Sequence, residues 1–376
     1  QLSANVARNS PEAARFVHYG ATSQDALDTG LILQIRRATQ AVQADLEQII
    51  AELIALTEKH RSTLLVARTW LQHALPTTFG FIAAGWLDAC LRHRQHLAEL
   101  AEKSFALQFG GAAGTLAALH DRGAKVSALL AEELQLPLPR IPWHAQRERI
   151  GEVAATFGLL SGTLGKIARD LSLHMQTEIA ELAEPVAPGR GGSSTMPHKH
   201  NPVACAAILA ATARVPPLVA AVLSGLSGEY QRSIGPWQSE WETIPEIVRL
   251  AAGGSHQLAA LLPGITVDAQ RMRRNLDLTH GLIYAEAVTI ALSEKLNRAS
   301  AHKLVAAACQ RAQAEQRGLR EVLSQEKEIA GILSAETLAQ LFEPSNYLGS
   351  ANIFADQVLA AARAGERVLA QTHSKG

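Results

Sequence analysis

The feature that most constrains the fold of this chain is a run of apolar residues spaced by four and three. Eight such residues follow one another between positions 31 and 56: Leu31, Ile35, Ala38, Val42, Leu46, Ile49, Leu53 and Leu56. This spacing places one apolar stripe along an α-helix of about 30 residues, roughly 45 Å long at 1.5 Å per residue. A helix of this length in a globular protein must bury its stripe on other helices.

The same spacing recurs in later parts of the chain. A second stripe covers residues 150–171 and is predicted to continue the helix as far as residue 182. Two further long helices are predicted, one from near Pro202 past residue 223 and one over residues 246–262. No run of alternating β-branched residues competes with these patterns. The sequence therefore predicts an all-α fold, built as a bundle of long helices.

Composition excludes several classes of function. Of the 376 residues, 35 are Lys or Arg and 35 are Asp or Glu, so the formal charge is zero. No basic excess indicates nucleic-acid binding, and no polybasic run indicates an anionic membrane surface. The helical stripes are wide and rich in alanine, and association of subunits would bury the surplus apolar surface. We therefore expect a homo-oligomer with no nucleic-acid or membrane partner.

The cysteines and the amino end indicate the cellular compartment. Cys90, Cys205 and Cys309 are far apart and form no Cys-x-x-Cys pair. This pattern indicates neither a disulfide framework nor a zinc site, and it fits a reducing cytoplasm. No uncharged stretch of 18 apolar residues and no signal-peptide pattern occur in the sequence. The chain begins with Gln1 rather than Met, and we expect it to be a fragment or a processed product.

Polar segments rich in glycine and proline separate the predicted helices. They are HYGATSQD at 18–25, RTWLQHALPTT at 68–78, QFGGAAG at 108–114, LPLPRIPW at 136–143 and the longest one at 184–202. A further boundary lies at 263–268, after which several shorter helices are predicted. QFGGAAG is predicted to serve tight helix packing rather than a site.

The stretch GGSSTMPHKHNP at 191–202 allows two interpretations. It has no GxxxxGK[ST] pattern for a phosphate cradle, and its two histidines have no nearby carboxylate to complete a metal site. It is either a flexible connector or a mobile lid over an anionic substrate. The second interpretation uses the hydroxyls of Ser193 and Ser194, the charge of Lys199 and the amide of Asn201 before a helix start.

Two other polar segments also allow two interpretations each. Thr22, Ser23 and Asp25 are residue types that cap a helix, which explains them without any ligand. Alternatively, the hydroxyls of Thr22 and Ser23 bind a carboxylate together with the amino end of the helix. His73 is either a satisfied polar side chain or part of a site.

Several of these segments together resemble the conserved regions of the fumarase/aspartase superfamily. GSSTMPHKHNP at 192–202 resembles its signature loop, GSSxMPxKxNP. HYGATSQD resembles the first conserved region and RTWLQHALPTTFG the second, while WHAQRERIGE at 143–152 resembles the QRDR segment of adenylosuccinate lyases. The regions occur in the family's order and span nearly the whole chain. The stretch before the first region is shorter than usual, which fits a missing amino end.

This resemblance implies a complete architecture. Members have an all-α, three-domain subunit whose central helices form the core of a homotetramer, with each active site shared between subunits. The corresponding ranges are 1–26 for the remnant of the first domain, 27–265 for the central bundle and 266–376 for a small helical domain. The resemblance also implies that no metal and no organic cofactor is used.

Two departures from the family pattern point to one branch of it. Trp70 and Ala206 stand where most members have the His and the Glu that handle the proton of the leaving group. A carboxylate has a conjugate-acid pKa of about 4 and leaves without protonation. Forming or breaking a lactone C–O bond therefore needs no such pair. The resemblance to the lactonising branch implies an intramolecular lyase that interconverts 3-carboxymuconate, a small tricarboxylate, and 4-carboxymuconolactone.

A third departure concerns the segment QRSIGPWQSEW. Adenylosuccinate lyases have ERDxSxSSxER here and bind the nucleotide phosphate, whereas this chain has Trp237, Gln238 and Trp241 in place of two serines and the arginine. An apolar, aromatic site is predicted instead, and Arg232 remains to face a carboxylate. The alternatives are an adenylosuccinate-lyase-like enzyme that releases fumarate, a cycloisomerase for 3-sulfomuconate, and an inactive structural member of the family.

The resemblance also assigns roles to residues. Ser193 corresponds to the catalytic serine and would donate a proton to carbon, while Lys199 and Asn201 would stabilise the aci-carboxylate. His73 is the other candidate for the proton donor. The predicted substrate-binding residues are His18, Thr22, Ser23, Thr69, Trp70, Gln146 and Arg232.

Overall fold

The computed structural model describes residues 1–185, 191–192 and 195–373, with side chains as far as residue 365. The helices and strands are α1 (Leu2–Asn9), α2 (Pro11–Ala14), α3 (Ser23–Lys59), β1 (Leu64–Thr69), β2 (Gln72–Thr78), α4 (Phe79–Ser104), α5 (Gly123–Leu134), α6 (Glu148–His174), β3 (Leu182–Ala183), α7 (Val203–Ser224), α8 (Pro236–Leu261), β4 (Thr266–Val267), α9 (Ala269–Asn275), α10 (Ala285–Ser293), α11 (Arg298–Ala314), α12 (Leu319–Gln325), α13 (Lys327–Ala330), α14 (Ala335–Leu341) and α15 (Ala351–His373). Every long element is a helix, which confirms the predicted all-α class.

The first predicted helix is confirmed as α3, which is 37 residues long. Its stripe forms the buried side, since Val42, Leu46 and Ile49 are fully buried. Asp25 lies in its first turn and Lys59 in its last turn. These charges complement the helix dipole, which is positive at the amino end and negative at the carboxyl end.

Two predicted helix boundaries are wrong. Helix α6 ends at His174 and does not continue to residue 182, because Ala180 has a left-handed φ of 49° and Leu182–Ala183 pair with Thr266–Val267 as β3 and β4. Helix α8 begins at Pro236 rather than at residue 246. Proline suits the first helical position because its φ is already helical and its missing N–H is not needed there.

The segment 64–78 forms a β-hairpin that the sequence patterns did not indicate. Strands β1 and β2 pair antiparallel, with Arg68 opposite His73 and Thr69 opposite Gln72. The turn consists of Trp70 and Leu71, both in the left-handed region at φ 54° and 63°. Two-residue hairpin turns of this kind usually contain Asn or Gly. The hairpin was missed because this turn contains neither.

The chain packs as two compact units. The first is built from residues 1–48, 92–168 and 204–260, and its core includes the buried Ile150, Val153 and Phe157. The second is built from residues 49–91 and 169–203 and from the chain after residue 260. An apolar cluster of α10, α11 and α12 lies within the second unit. The three predicted domains, 1–26, 27–265 and 266–376, remain a prediction.

Helix α7 has an unusually apolar surface. Within the described residues it is the one helix that is long and apolar enough to cross a membrane by length and composition. Only 17% of its most apolar window is buried by this chain. A core helix of a soluble protein satisfies the same criterion, provided that something covers it. Helix α7 therefore presents an apolar face that the single chain leaves largely exposed.

Candidate active site

The predicted site residues fall into two sets, one in each compact unit. The set in the first unit begins with the loop 18–25. Thr22 precedes helix α3, and its N–H donates to Asp25 Oδ2 over 2.9 Å, which is half of a capping box. The capping interpretation is thus confirmed for Asp25. Ser23 is exposed and Thr22 half-buried, and within the described residues neither hydroxyl has a hydrogen-bond partner.

The carboxylate of Asp25 is buried and fully engaged. Its oxygens accept hydrogen bonds of 2.7–3.1 Å from five donors, namely Thr22 N, Gln108 Nε2, Gly110 N, Gly111 N and His144 Nε2. Burial acts to raise the pKa of Asp25, but these bonds, led by that of His144, outweigh burial and lower the pKa below its ordinary value. Asp25 is therefore a charged structural centre, and sequence patterns indicated only its capping role.

The prediction for QFGGAAG at 108–114 is wrong. The segment is a turn that packs against the loop 18–25, not a contact between helices. Gly111 has φ 67°, and a Cβ atom on it would lie 2.6 Å from the carbonyl oxygen of Gly20. Only glycine fits this close approach of two backbones.

Arg232 contacts the same glycine turn. Its Nη2 donates to the carbonyl oxygen of Ala112 over 3.1 Å. Its Nε is buried and has no hydrogen-bond partner within the described residues. A guanidinium N–H without a partner is suited to an incoming anion. Arg232 therefore contacts the glycine turn directly, and Thr22 is connected to the same turn through Asp25.

The other two residues of this set are exposed. His18 has a left-handed φ of 63° and its side chain faces solvent. Gln146 lies on the rim of a cleft of about 530 Å³ that Lys103, Arg140 and Arg149 also line. Glu148 lines the same cleft, so three basic residues and one acidic residue surround it.

A buried ion cluster follows directly after Gln146. Arg147 donates to both oxygens of Asp28 over 2.7 and 3.0 Å and also binds Glu240. Trp237 is buried here, and its Nε1 donates to Asp28 Oδ1 over 3.1 Å. Trp241 is half-exposed and packs edge-on against Trp237. The predicted aromatic surface is thus formed by Trp241, whereas Trp237 belongs to the ion cluster.

The set in the second unit centres on the β1–β2 hairpin. Thr69 and Trp70 lie at its exposed tip, and the side chain of Trp70 is 98% exposed. His73 is half-buried, and its Nδ1 has no hydrogen-bond partner within the described residues. Burial and then the charge of Arg68 lower the pKa of His73, although Glu181 partly opposes them. His73 is therefore neutral near pH 7, which suits a proton acceptor better than a donor.

Arg68 is held by a carboxylate that the sequence patterns did not indicate. Glu181 is fully buried and accepts from Arg68 Nη1 and Nη2 over 3.0 and 2.8 Å. It also accepts from His174 Nδ1 over 2.6 Å and from Asn275 Nδ2 over 2.7 Å. Burial acts to raise the pKa of Glu181, but the bonds of His174, Arg68 and Asn275 lower it to about 2.

The structure describes both ends of the signature loop, residues 191–192 and 195–202. Asn201 N donates to Gly191 O over 2.8 Å, and Gly192 and His200 form an isolated β-bridge, so the two ends of the loop are tied together. Lys199 is exposed and Asn201 is half-buried. Ser193 and Ser194 lie outside the described residues. The catalytic roles of Ser193, Lys199 and Asn201 therefore stay predictions.

Comparison with known proteins was made for the sequence and for the fold. A family model described as Lyase matches residues 2–216, and one described as Adenylosuccinate lyase C-terminus matches residues 281–358. The chain is 51% identical to the 3-carboxy-cis,cis-muconate cycloisomerase of Pseudomonas aeruginosa, over 96% of this chain and 78% of that relative. It is 50% identical to the protein of the same name from Bradyrhizobium diazoefficiens, over 95% of this chain and 79% of the relative.

A solved structure agrees with these matches. The crystal structure of the 3-carboxy-cis,cis-muconate lactonizing enzyme from Pseudomonas putida is 48% identical and superposes with a TM-score of 0.89. The match covers 96% of this chain and 80% of that chain. The relatives and the solved structure thus agree over nearly the whole chain, and the family models match residues 2–216 and 281–358 within it. The chain therefore belongs to the lyase family, within the fumarase/aspartase superfamily that its signature at 192–202 predicts.

Proposed function

We propose that this chain is a cycloisomerase that interconverts 3-carboxy-cis,cis-muconate and 4-carboxymuconolactone in aromatic-acid degradation. The observation that carries the proposal is the chemistry of two positions. Trp70 and Ala206 replace the His–Glu pair of the superfamily, and neither side chain can pass a proton to a leaving group. Only a leaving group that departs unprotonated, such as a carboxylate, suits such a site. The names of relatives that are 50% and 51% identical support the same reaction.

The reaction needs one C–O bond and one proton transfer. In the lactonising direction, a carboxylate oxygen of the substrate adds to a conjugated carbon of the same molecule and closes the ring. The electrons of that double bond move toward a second carboxylate, which becomes an aci-carboxylate. A proton then reaches the carbon next to it. We assign the proton to Ser193 and the stabilisation of the negative charge to Lys199 and Asn201.

The substrate is a tricarboxylate, and each unit offers groups that suit its charges. In the first unit, Thr22 and Ser23 have unengaged hydroxyls and Arg232 has an unpaired Nε within the described residues. His18 and Gln146, which belong to the same unit, are exposed. In the second unit, Thr69 and Trp70 lie at the hairpin tip. We propose that these residues bind substrate, without a metal or an organic cofactor.

A direct assay tests the reaction. Purified protein is mixed with 3-carboxymuconate, and loss of the diene absorbance is followed before and after dialysis against EDTA. We expect turnover that EDTA does not change. Adenylosuccinate and 3-sulfomuconate are assayed in parallel. Release of fumarate from adenylosuccinate would refute the proposal. Faster turnover of 3-sulfomuconate than of 3-carboxymuconate would make 3-sulfomuconate the preferred substrate.

The adenylosuccinate reaction has one observation in its favour, the family match at residues 281–358. The segment that would bind the nucleotide phosphate argues against it. Trp237 occupies a serine position there and is buried against Asp28, beside the buried Glu240. A phosphate at this place would face two carboxylates that share one guanidinium, that of Arg147. Charge repulsion thus disfavours a nucleotide.

We further propose a cytoplasmic homotetramer with active sites shared between subunits. The support is the apolar face of α7, of which this chain buries little. A subunit interface would cover that face without any membrane. The test mixes inactive Thr22→Ala and Ser193→Ala subunits by denaturation and refolding. Partial recovery of activity is expected, and a fully active monomer in light scattering would refute shared sites.

A further inference from the structure

We propose that Asp25 is the positioning residue of the carboxylate-binding part of this site. The proposal rests on the proposed function, because it names what holds the substrate-binding groups of the first unit in place. Asp25 is 3% exposed, and both of its oxygens are engaged. Oδ1 accepts from Gln108, Gly110 and His144, and Oδ2 accepts from Thr22 and Gly111. A carboxylate with about four acceptor sites has none left for substrate, so Asp25 acts through other residues.

The first consequence concerns the glycine turn. Gly110 N–H and Gly111 N–H are buried donors, and Asp25 accepts from both over 2.9 Å. Without the carboxylate these two amides would be buried without a partner, which the backbone avoids by moving. The next residue, Ala112, supplies the carbonyl that accepts from Arg232. The guanidinium of Arg232 is thus oriented by a turn that Asp25 fixes.

The second consequence concerns the hydroxyls. Asp25 Oδ2 occupies the N–H of Thr22 and so fixes the backbone immediately before α3. The hydroxyls of Thr22 and Ser23 remain unengaged within the described residues. They lie at the positive end of a 37-residue helix, where an anion is favoured. One buried carboxylate therefore sets the position of the two hydroxyls and of the Arg232 guanidinium.

The role predicts a specific kinetic signature. Thr22, Ser23 and Arg232 bind a substrate carboxylate that takes no part in the reaction. Their contacts are therefore equally strong with the bound substrate and with the transition state, and losing their alignment weakens both equally. For Asp25→Asn we expect KM to rise about 10- to 100-fold, by analogy with the loss of residues that orient metal ligands. We expect kcat to change less than about 3-fold. The affinity for tricarballylate, a tricarboxylate that cannot react, should fall by the same factor as KM rises.

The matched control is Asp28→Asn. Asp28 is a buried carboxylate on the same helix, 2% exposed, but its partners are Arg147, Trp237 and Gln24. Both variants lose a buried charge, so both should melt at lower temperature. Only Asp25→Asn should raise KM and weaken tricarballylate binding. Equal effects of both variants on KM, or a fall in kcat with unchanged KM, would overturn the proposal.

A replacement variant and a binding measurement on the wild type complete the experiment. If Asp25→Asn does not fold, His144→Gln replaces it, because it keeps a donor to Asp25 and should raise KM about 3- to 10-fold. Wild-type protein that binds tricarballylate in calorimetry but does not consume 3-carboxymuconate would refute the proposed reaction alone. Wild-type protein that binds no tricarballylate would overturn the positioning role.

Discussion

His73 lies directly opposite Arg68 across the β1–β2 hairpin, and Arg68 binds both carboxylate oxygens of Glu181. Burial and the charge of Arg68 keep His73 neutral, while Glu181 stays ionised to about pH 2. A neutral imidazole has no proton on one of its nitrogens and accepts more readily than it donates. We therefore keep Ser193 as the proposed donor in the lactonising direction, since the hairpin holds His73 in the form that accepts a proton.

The first prediction concerns this donor. Ser193→Ala should lower kcat by about 10²–10⁴ with a smaller effect on KM, because a general acid contributes about that much. His73→Asn and Ser194→Ala should do less harm. In D₂O, the wild-type product should carry one deuterium at the carbon next to the carboxylate, in one configuration, as seen by NMR. Near-normal turnover by Ser193→Ala together with an inactive His73→Asn would assign the donor to His73.

The second prediction concerns the missing acid pair. The double variant Trp70→His/Ala206→Glu restores the residue types of the superfamily pattern. Because a carboxylate leaves without a proton, we expect no gain in lactonisation rate from it. Trp70 and Ala206 are both exposed in the single chain, so the fold should persist. A marked rise in kcat, with the melting temperature unchanged, would show that the reaction needs a leaving-group acid after all.

The third prediction concerns Glu181. Its pKa is 4.5 in an unfolded chain and about 2 in the folded protein, so its contribution to stability is complete above pH 4.5 and disappears as the pH falls through 2. Glu181→Gln should lower the free energy of unfolding by about 3 kcal/mol at pH 7, since it leaves Arg68 without its buried partner. The deficit should shrink by about half at pH 3. Urea titrations at both pH values measure it.

Glu246→Gln is the matched control for Glu181→Gln. Glu246 also contacts two cations, Arg214 and Arg249, but these arginines are largely exposed. Ion pairs at the surface contribute little. We expect this variant to unfold like the wild type at both pH values. A Glu181→Gln deficit that does not change between pH 7 and pH 3 would contradict the role of its charge.

The fourth prediction concerns His93. Its ring is buried, its Nε2 lies 2.7 Å from Thr163 Oγ1, and burial chiefly lowers its pKa from 6.5 to about 4. Between pH 6.5 and 4 the unfolded chain therefore takes up a proton that the folded protein does not, and stability falls as the pH falls. The full effect is about 3 kcal/mol. His93→Gln should be less stable than the wild type at pH 7.5. On acidification to pH 5, however, its free energy of unfolding should fall by less than that of the wild type.

Urea midpoints at pH 7.5 and pH 5 test this prediction. The exposed His256 supplies the control, and His256→Gln should keep the wild-type dependence on pH. If His93→Gln keeps the full wild-type loss between the two pH values, the acid sensitivity arises elsewhere.

The long helices could be predicted because a buried stripe repeats locally. The stripe of α3 specifies both the helix and its buried side within one stretch of sequence. The end of α6 could not be predicted, since the pairing of Leu182 with Val267 that replaces it is a contact between distant segments. The hairpin tip at Trp70 was missed for lack of a turn residue.

For the candidate site, the sequence indicated which segments take part but not which distant residues contact one another. The signature loop and the loop 18–25 were indicated by their residue types, and the structure ties Thr22 and Arg232 to one turn. Glu181 was missed because its partners lie far away in the chain, at Arg68 and Asn275. A buried carboxylate that gathers distant donors leaves no local pattern.

The exposed tip of the hairpin has an optical consequence. Among the five tryptophans, Trp86, Trp143 and Trp237 are buried, Trp241 is half-exposed, and Trp70 alone stands almost fully in water. The indole of Trp70 therefore emits at long wavelength until something covers it. Any contact at the tip, by a second subunit or by a bound molecule, shifts that emission toward the blue. The chain carries a built-in fluorophore at the place where substrate binding is proposed.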